Sequence, residues 1–131
     1  MKNVAIFGAG RIGRIHATNL AALSGVRLRY VSDPVADAAA SLAGPLGAEV
    51  AGIEQVFADP AIAVIYIASP PASHLLHVGR ALDAGKAVFC EKPLATDREA
   101  AAAMVARVER EGAPAADNNS LAHSTAYLAA A

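Results

Sequence analysis

One cysteine, Cys90, stands in 131 residues. A single thiol excludes an internal disulfide and suits a reducing compartment. Net charge is also nearly missing, because 11 Lys and Arg face 12 Asp and Glu and leave −1. That balance gives no general attraction for nucleic acid or for an anionic membrane, so neither is an expected partner. No apolar stretch approaches the roughly eighteen residues of a membrane span. The apolar run near the N-terminus covers only residues 4–7, too short for a signal-peptide core. The expected location is therefore the cytoplasm. A Gly-Lys-Ser/Thr run is absent, which excludes a P-loop nucleotidase. No internal repeat appears, and no low-complexity linker beyond a general richness in alanine.

What the chain does have is enough apolar content, 55%, to bury a core at the size of one ordinary domain. Its organising stretch runs from Val4 to Asp33. An apolar strand leads into Gly8-Ala9-Gly10-Arg11-Ile12-Gly13, a helical run follows, and a second strand ends at Asp33, twenty residues after the third glycine. This is the pattern of a βαβ unit that holds a dinucleotide. Gly8 permits a tight turn, Gly10 lets the backbone approach a pyrophosphate, and Gly13 lets the helix pack against the strands. Arg11 and Ile12, between the second and third glycines, belong to the same binding loop. The helix start then offers unpaired N–H groups and a positive dipole end to the phosphates. Asp33 suits the hydroxyls of an adenosine ribose and repels a 2′-phosphate. No arginine follows it, since Pro34 and Val35 do, so NAD is expected over NADP. Asp33 can also cap the next helix.

The pattern predicts strands at residues 4–7, 26–32, 48–51, 62–68 and 86–90, with the fourth central. Helices are expected at 11–23, 35–43 and 73–84, with a helical turn at 53–57. A capping box, Thr96-x-x-Glu99, opens a last helix that reaches residue 111. In the helix over 73–84, Leu75, Leu76, Val78 and Leu82 are the packing residues. Regular alternation of strand and helix implies an α/β, doubly wound, mostly parallel sheet with helices on both faces. Five strands can be assigned. Beyond Gly112 the alternation fails and a sixth strand is weak or missing.

Two later loops, Ser69-Pro70-Pro71-Ala72-Ser73-His74 and Glu91-Lys92-Pro93-Leu94-Ala95, leave the sheet at the same carboxyl edge. With the glycine fingerprint GAGRIGRIHATNL they resemble the N-terminal Rossmann domain of the Gfo/Idh/MocA oxidoreductases, over about residues 2–112. The motifs look closest to the inositol 2-dehydrogenase-like branch. The resemblance implies hydride transfer between NAD(P) and a hydroxyl carbon of a sugar or polyol. It makes Lys92, the lysine of Glu-Lys-Pro, the catalytic residue that bonds the reacting hydroxyl and helps its proton leave. An ammonium at that place stabilises developing alkoxide charge. By the same resemblance Glu91 lies near the nicotinamide ribose, Pro93 fixes the turn that aims Lys92, and Ser69, Pro70 and His74 run beside the cofactor.

Other residues read as structural. His74 and His77 are three apart on the expected helix with no third ligand nearby, so no metal is expected. His74 caps or packs, and His77 lies on the helix surface. His16 is structural or near the phosphates. Cys90 is a small buried hydrophobe, and Arg107 with Arg110, Glu109 and Glu111 forms a solvated helix face.

The chain departs from the resemblance after residue 112. The resemblance implies a second α/β domain that binds substrate and supplies further acid–base residues, and the expectation for these 131 residues is that they do not include it. Residues 1–112 are thus expected as the NAD(P)-binding domain and 113–131 as a degenerate or truncated tail, with Tyr127 onward resembling the start of a helix. A truncated or frame-shifted reading, an isolated domain and a natural short product all fit. The function is then the cofactor-binding half of a polyol dehydrogenase, or alternatively an inactive dinucleotide-binding module or regulatory fragment. A sugar or polyol substrate is expected only in a full-length relative. Loss of strand six leaves a sheet edge open, which predicts marginal stability and self-association.

Overall fold

The computed structural model describes residues 1–92, 94–111 and, as backbone, 126–129. The elements follow one another as β1 (Lys2–Phe7), α1 (Arg11–Ala22), β2 (Val26–Ser32), α2 (Ala36–Ala43), β3 (Glu49–Val50), α3 (Ile53–Ala58) and β4 (Ile62–Ile67). Then come α4 (His74–Asp83), β5 (Ala87–Glu91), α5 (Arg98–Arg110) and β6 (Ala126–Ala129). The sheet order is β3-β2-β1-β4-β5-β6. Every described pairing is parallel except β5 with β6, which is antiparallel.

β1 sits centrally because its side chains are apolar on both faces, as a two-sided parallel sheet requires. Val4, Ala5, Ile6 and Phe7 are all at most 3% exposed. Their alternation feeds two cores. Ala5 and Phe7 join Ile65, Ile67, Val88 and Cys90 beneath Val56 of α3, Val78, Ala81 and Leu82 of α4, and Val108 of α5. Ile6, Leu28, Val31 and Tyr66 face the other way, against Ala17 of α1 and Ala39, Leu42 and Ala43 of α2. Alanine lets those two helices sit close to the strands. Each fully buried Ile or Val in these layers contributes roughly 1.5–3 kcal/mol.

Several expectations are corrected here. A strand, β6, stands where a helix start was expected at Tyr127, pairing Ala126 with Glu91 and Ala129 with Val88. Four residues are too few to gain from helix propensity, whereas the free N–H and C=O groups along β5 reward pairing. The edge of β5 expected to lie open is therefore covered. The remainder of the predicted tail, residues 112–125 and 130–131, lies outside the described residues. The N-cap of α5 is Asp97, whose side chain accepts from the Glu99 N–H, and not Thr96. The inward face of α4 is His74, His77, Val78, Ala81 and Leu82, while Leu76 is 63% exposed. Arg107 is not simply solvated: it reaches Asp83 at 2.5 Å and the Gly79 carbonyl at 3.4 Å, pinning α5 to α4. Among the described residues no helix is long and apolar enough to cross a membrane.

Candidate functional site

Four parallel strands end together, because Phe7 pairs with Ser32 and with Ile67, and Ile67 with Cys90. Their carboxyl ends carry the glycine loop, Asp33, the Ser69–His74 loop and Glu91-Lys92 at one edge, where open α/β sheets bind ligands.

The glycine loop is fixed by close approach. Gly8 has φ +105°, and a Cβ there would lie 2.6 Å from the Ala68 carbonyl. A Cβ on Gly13 would lie 1.9 Å from the Gly8 carbonyl oxygen. Gly13 therefore lets α1 pack on the loop itself and not, as expected, on the strands. In front of Gly10 nothing stands within 4 Å of a Cβ position. α1 starts just beyond, with Gly10 as its N-cap, no side-chain cap and no acidic residue in its first turn. Its first N–H groups and positive dipole end are left for an anion.

Asp33 braces this loop. One carboxylate oxygen accepts from the Ala9 N–H and the other from the Val35 N–H, each at 2.8 Å. The second contact is a local turn and no cap of α2, whose N-cap is Val35. A carboxylate has about four acceptor sites, so two remain after these bonds.

The Ser69–His74 loop is wound on itself. Ser69 and Ser73 share a hydroxyl hydrogen bond of 2.8 Å, and Ser73 Oγ donates to the Pro70 carbonyl at 2.7 Å. The His74 ring, 1% exposed, lies with Nε2 2.6 Å from the Ser69 carbonyl oxygen. His74 thus packs, as expected, and sets the loop from beneath.

Glu91 ends β5. Its Oε1 accepts from the Tyr66 hydroxyl at 2.8 Å and pairs with Nε2 of His16. Burial, and then the Glu91 carboxylate, push the Tyr66 phenol above its ordinary range. Lys92 follows, exposed. Cys90, just before, is fully buried, and burial pushes its thiol up to about 12, so it is no nucleophile at neutral pH.

One cleft of about 510 Å³ gathers Gly8, Gly10, Arg11, Ile12 and Asp33 with Ser69, Pro70, His74, Glu91 and Lys92. Of the residues expected at the site, Gly13 lies behind the loop and Pro93 is outside the described residues. A second hollow of about 480 Å³ shares Gly8, Asp33, Ser69 and Pro70 and adds Pro34, Gly52, Ile53, Ala72, Ser73 and His77. Ala72 and Ser73 belong to the loop expected at this edge, whereas Pro34, Gly52, Ile53 and His77 were not found as site residues from sequence. His77 corrects the expectation of a surface residue: it is 9% exposed, with its ring edge-on to Phe7 at 4.9 Å. Burial, then His74 and Arg80, hold its imidazole below the ordinary value. The signal lay in the spacing 74/77/78/81/82, one helix face.

The Gfo/Idh/MocA profile, described as an oxidoreductase family with an NAD-binding Rossmann fold, matches residues 2–117. The chain belongs to the Gfo/Idh/MocA oxidoreductase family. The part described is its NAD-binding Rossmann domain. It is 39% identical over 94 residues to an inositol 2-dehydrogenase of Rhizobium meliloti, covering 72% of this chain and 28% of that protein. It is 41% identical over 99 residues to inositol 2-dehydrogenase 3 of Saccharopolyspora erythraea, covering 73% and 29%. The crystal structure of a myo-inositol dehydrogenase from Lactobacillus casei, in complex with NAD(H) and myo-inositol, superposes with a TM-score of 0.80 at 30% identity. That match covers 86% of this chain and 34% of that one. The chain thus spans about a third or less of the length of these relatives.

Proposed function

We propose that the carboxyl-edge cleft holds NAD and that the chain serves hydride transfer at a hydroxyl carbon of a sugar or polyol. The observation that carries this reading is the gathering of an uncapped helix start, Asp33 and Lys92 along one cleft. The donor set fits the cofactor: open space at Gly10 for a pyrophosphate, N–H groups to receive it, and a carboxylate with acceptor sites to spare for ribose hydroxyls. Bound there, NAD would supply the hydride acceptor. Arg11 and Ile12 line the phosphate stretch, and Ser69 and Pro70 form the facing wall. Lys92 would sit beside the reacting hydroxyl, take up its proton as the neutral amine and, as the ammonium so formed, stabilise the negative charge left on that oxygen. Residues 1–112 form the binding domain in this reading, and a cytoplasmic setting suits the free Cys90. The names of the inositol dehydrogenase relatives support a polyol as the substrate class.

Calorimetric titration of NAD and NADP into the purified chain tests the cofactor assignment. NAD is expected to bind at least about tenfold more tightly, since a 2′-phosphate would meet the Asp33 carboxylate. Equal or reversed affinities would refute that role. NADH formation with myo-inositol tests the chemistry, in this chain or a longer form that contains it. Lys92→Ala is expected to slow it about a hundredfold, and an unchanged rate would remove Lys92 from the reaction.

A further inference from the structure

The end of β5 is held by a residue outside the glycine fingerprint. His16 lies in the second turn of α1, and its Nε2 pairs with Oε1 of Glu91. An ionised carboxylate only accepts, so Nε2 is the donor. The Tyr66 hydroxyl donates to the same oxygen at 2.8 Å. The His16 ring stacks on Tyr66 at 4.7 Å, and Tyr66 stacks on Phe89 at 5.5 Å with the planes 2° apart. Side chains of His16 and Glu91 are 29% and 14% exposed, so solvent screens the pair only in part. α1 leaves β1, whereas Glu91 ends β5, and β4 stands between them. The contact therefore crosses the sheet, tying the helix whose start faces the cleft to the residue just before Lys92.

We propose that His16 is a positioning residue: through Glu91 it fixes the point where the main chain leaves β5, and so the place of Lys92 relative to the start of α1. This rests on the NAD reading given above. The sheet order makes the effect one-sided. Asp33 ends β2 and Glu91 ends β5, with β1 and β4 between. A ligand that reaches only the Asp33 end does not feel the His16–Glu91 contact, and one that reaches Glu91 does.

Titrations of AMP and of NADH into the wild-type chain, His16→Leu and His16→Gln test this. His16→Leu is expected to weaken NADH binding about tenfold, the order of one charge-assisted hydrogen bond, and to leave AMP within about twofold. His16→Gln retains an N–H donor of similar reach and is expected to recover NADH affinity to within about threefold of wild type. Equal weakening of both ligands by His16→Leu, no change in either, or no recovery in His16→Gln would overturn the proposal. Should His16→Leu fail to fold in a thermal melt, His16→Phe, which keeps a ring against Tyr66 and lacks the donor, carries the same test with the same selectivity expected. A wild-type chain that binds neither ligand overturns the NAD reading and this inference with it. Wild-type binding with an indifferent His16 overturns the inference alone.

Discussion

Two tyrosines donate to carboxylates at opposite edges of the sheet, and their surroundings differ. At the amino edge Tyr30 donates to Asp59 at 2.7 Å, and the second Asp59 oxygen accepts from the Ala61 N–H at 2.8 Å. The Asp59 carbonyl and that of Ile62 take Lys86 Nζ at 2.7 and 3.0 Å. Lys86 is only 4% exposed, and burial holds its ammonium below the ordinary range. The Tyr30 hydrogen bond, then the Ala61 N–H, keep the Asp59 carboxyl below its ordinary value. At the carboxyl edge Tyr66 donates to Glu91, but both described bonds of Glu91 fall on Oε1, and the neighbouring lysine, Lys92, stands exposed at a cleft. Polar groups whose bonds close within the chain serve the fold. Polar groups gathered at a cleft with bonding capacity left over are the ones available to a ligand.

The comparison breaks first at Gly13. Gly13→Ala puts a Cβ on the Gly8 carbonyl oxygen, so the glycine loop must open. NADH affinity is expected to fall more than about a hundredfold in a fluorescence titration, because the loop that receives the phosphates is displaced. Binding near the wild-type level would show that the loop geometry is not what the ligand uses.

Next comes the amino edge. Lys86→Met leaves two carbonyls without their donor, which is expected to cost about 2 kcal/mol in urea denaturation. NADH affinity of the folded fraction should stay within about twofold, since nothing at that edge faces the cleft. A large loss of affinity at full stability would erase the distinction between the edges.

The smallest effect concerns His77, which sits between core and hollow. Its imidazole takes up a proton less readily in the folded chain than in the unfolded one. The unfolded state therefore binds more protons just below the ordinary value of about 6.5, and stability rises with pH across that window. Acidification from neutral pH removes that part of the stability. His77→Leu is expected to flatten this acid-side slope in thermal melts between about pH 7.5 and 5.5. An unchanged slope would assign the pH dependence to other groups.

How much of this the sequence disclosed follows from the range of each interaction. The glycine loop was legible because part of its constraint is local: Gly8 takes φ +105°, and Gly13 meets Gly8. The close approach of Gly8 to Ala68 and Ser69 was not legible, since sixty residues separate them. The five parallel strands were legible because their apolar runs are bounded by Gly, Pro and Asp. The shared edge of Asp33, Ser69–His74 and Glu91-Lys92 followed from alternation of strand and helix alone. The His16–Glu91–Tyr66 contact was not legible, since it joins α1, β4 and β5 and no local pattern marks it. Nor was β6, whose residues adopt a strand only because β5 offers an edge. His77 was misplaced because its polar residue type was weighed above its place on the 74/77/78/81/82 face, where helical spacing puts it with Val78, Ala81 and Leu82.

Amide chemical-shift mapping of the folded chain during NAD titration tests the central claim most directly. Shifts are expected at Gly8, Gly10, Gly13, Asp33, Ser69, His74, Glu91 and Lys92, with Tyr30, Asp59 and Lys86 unmoved. Shifts concentrated at the amino edge, or none at the glycine loop under saturating NAD, would contradict the account.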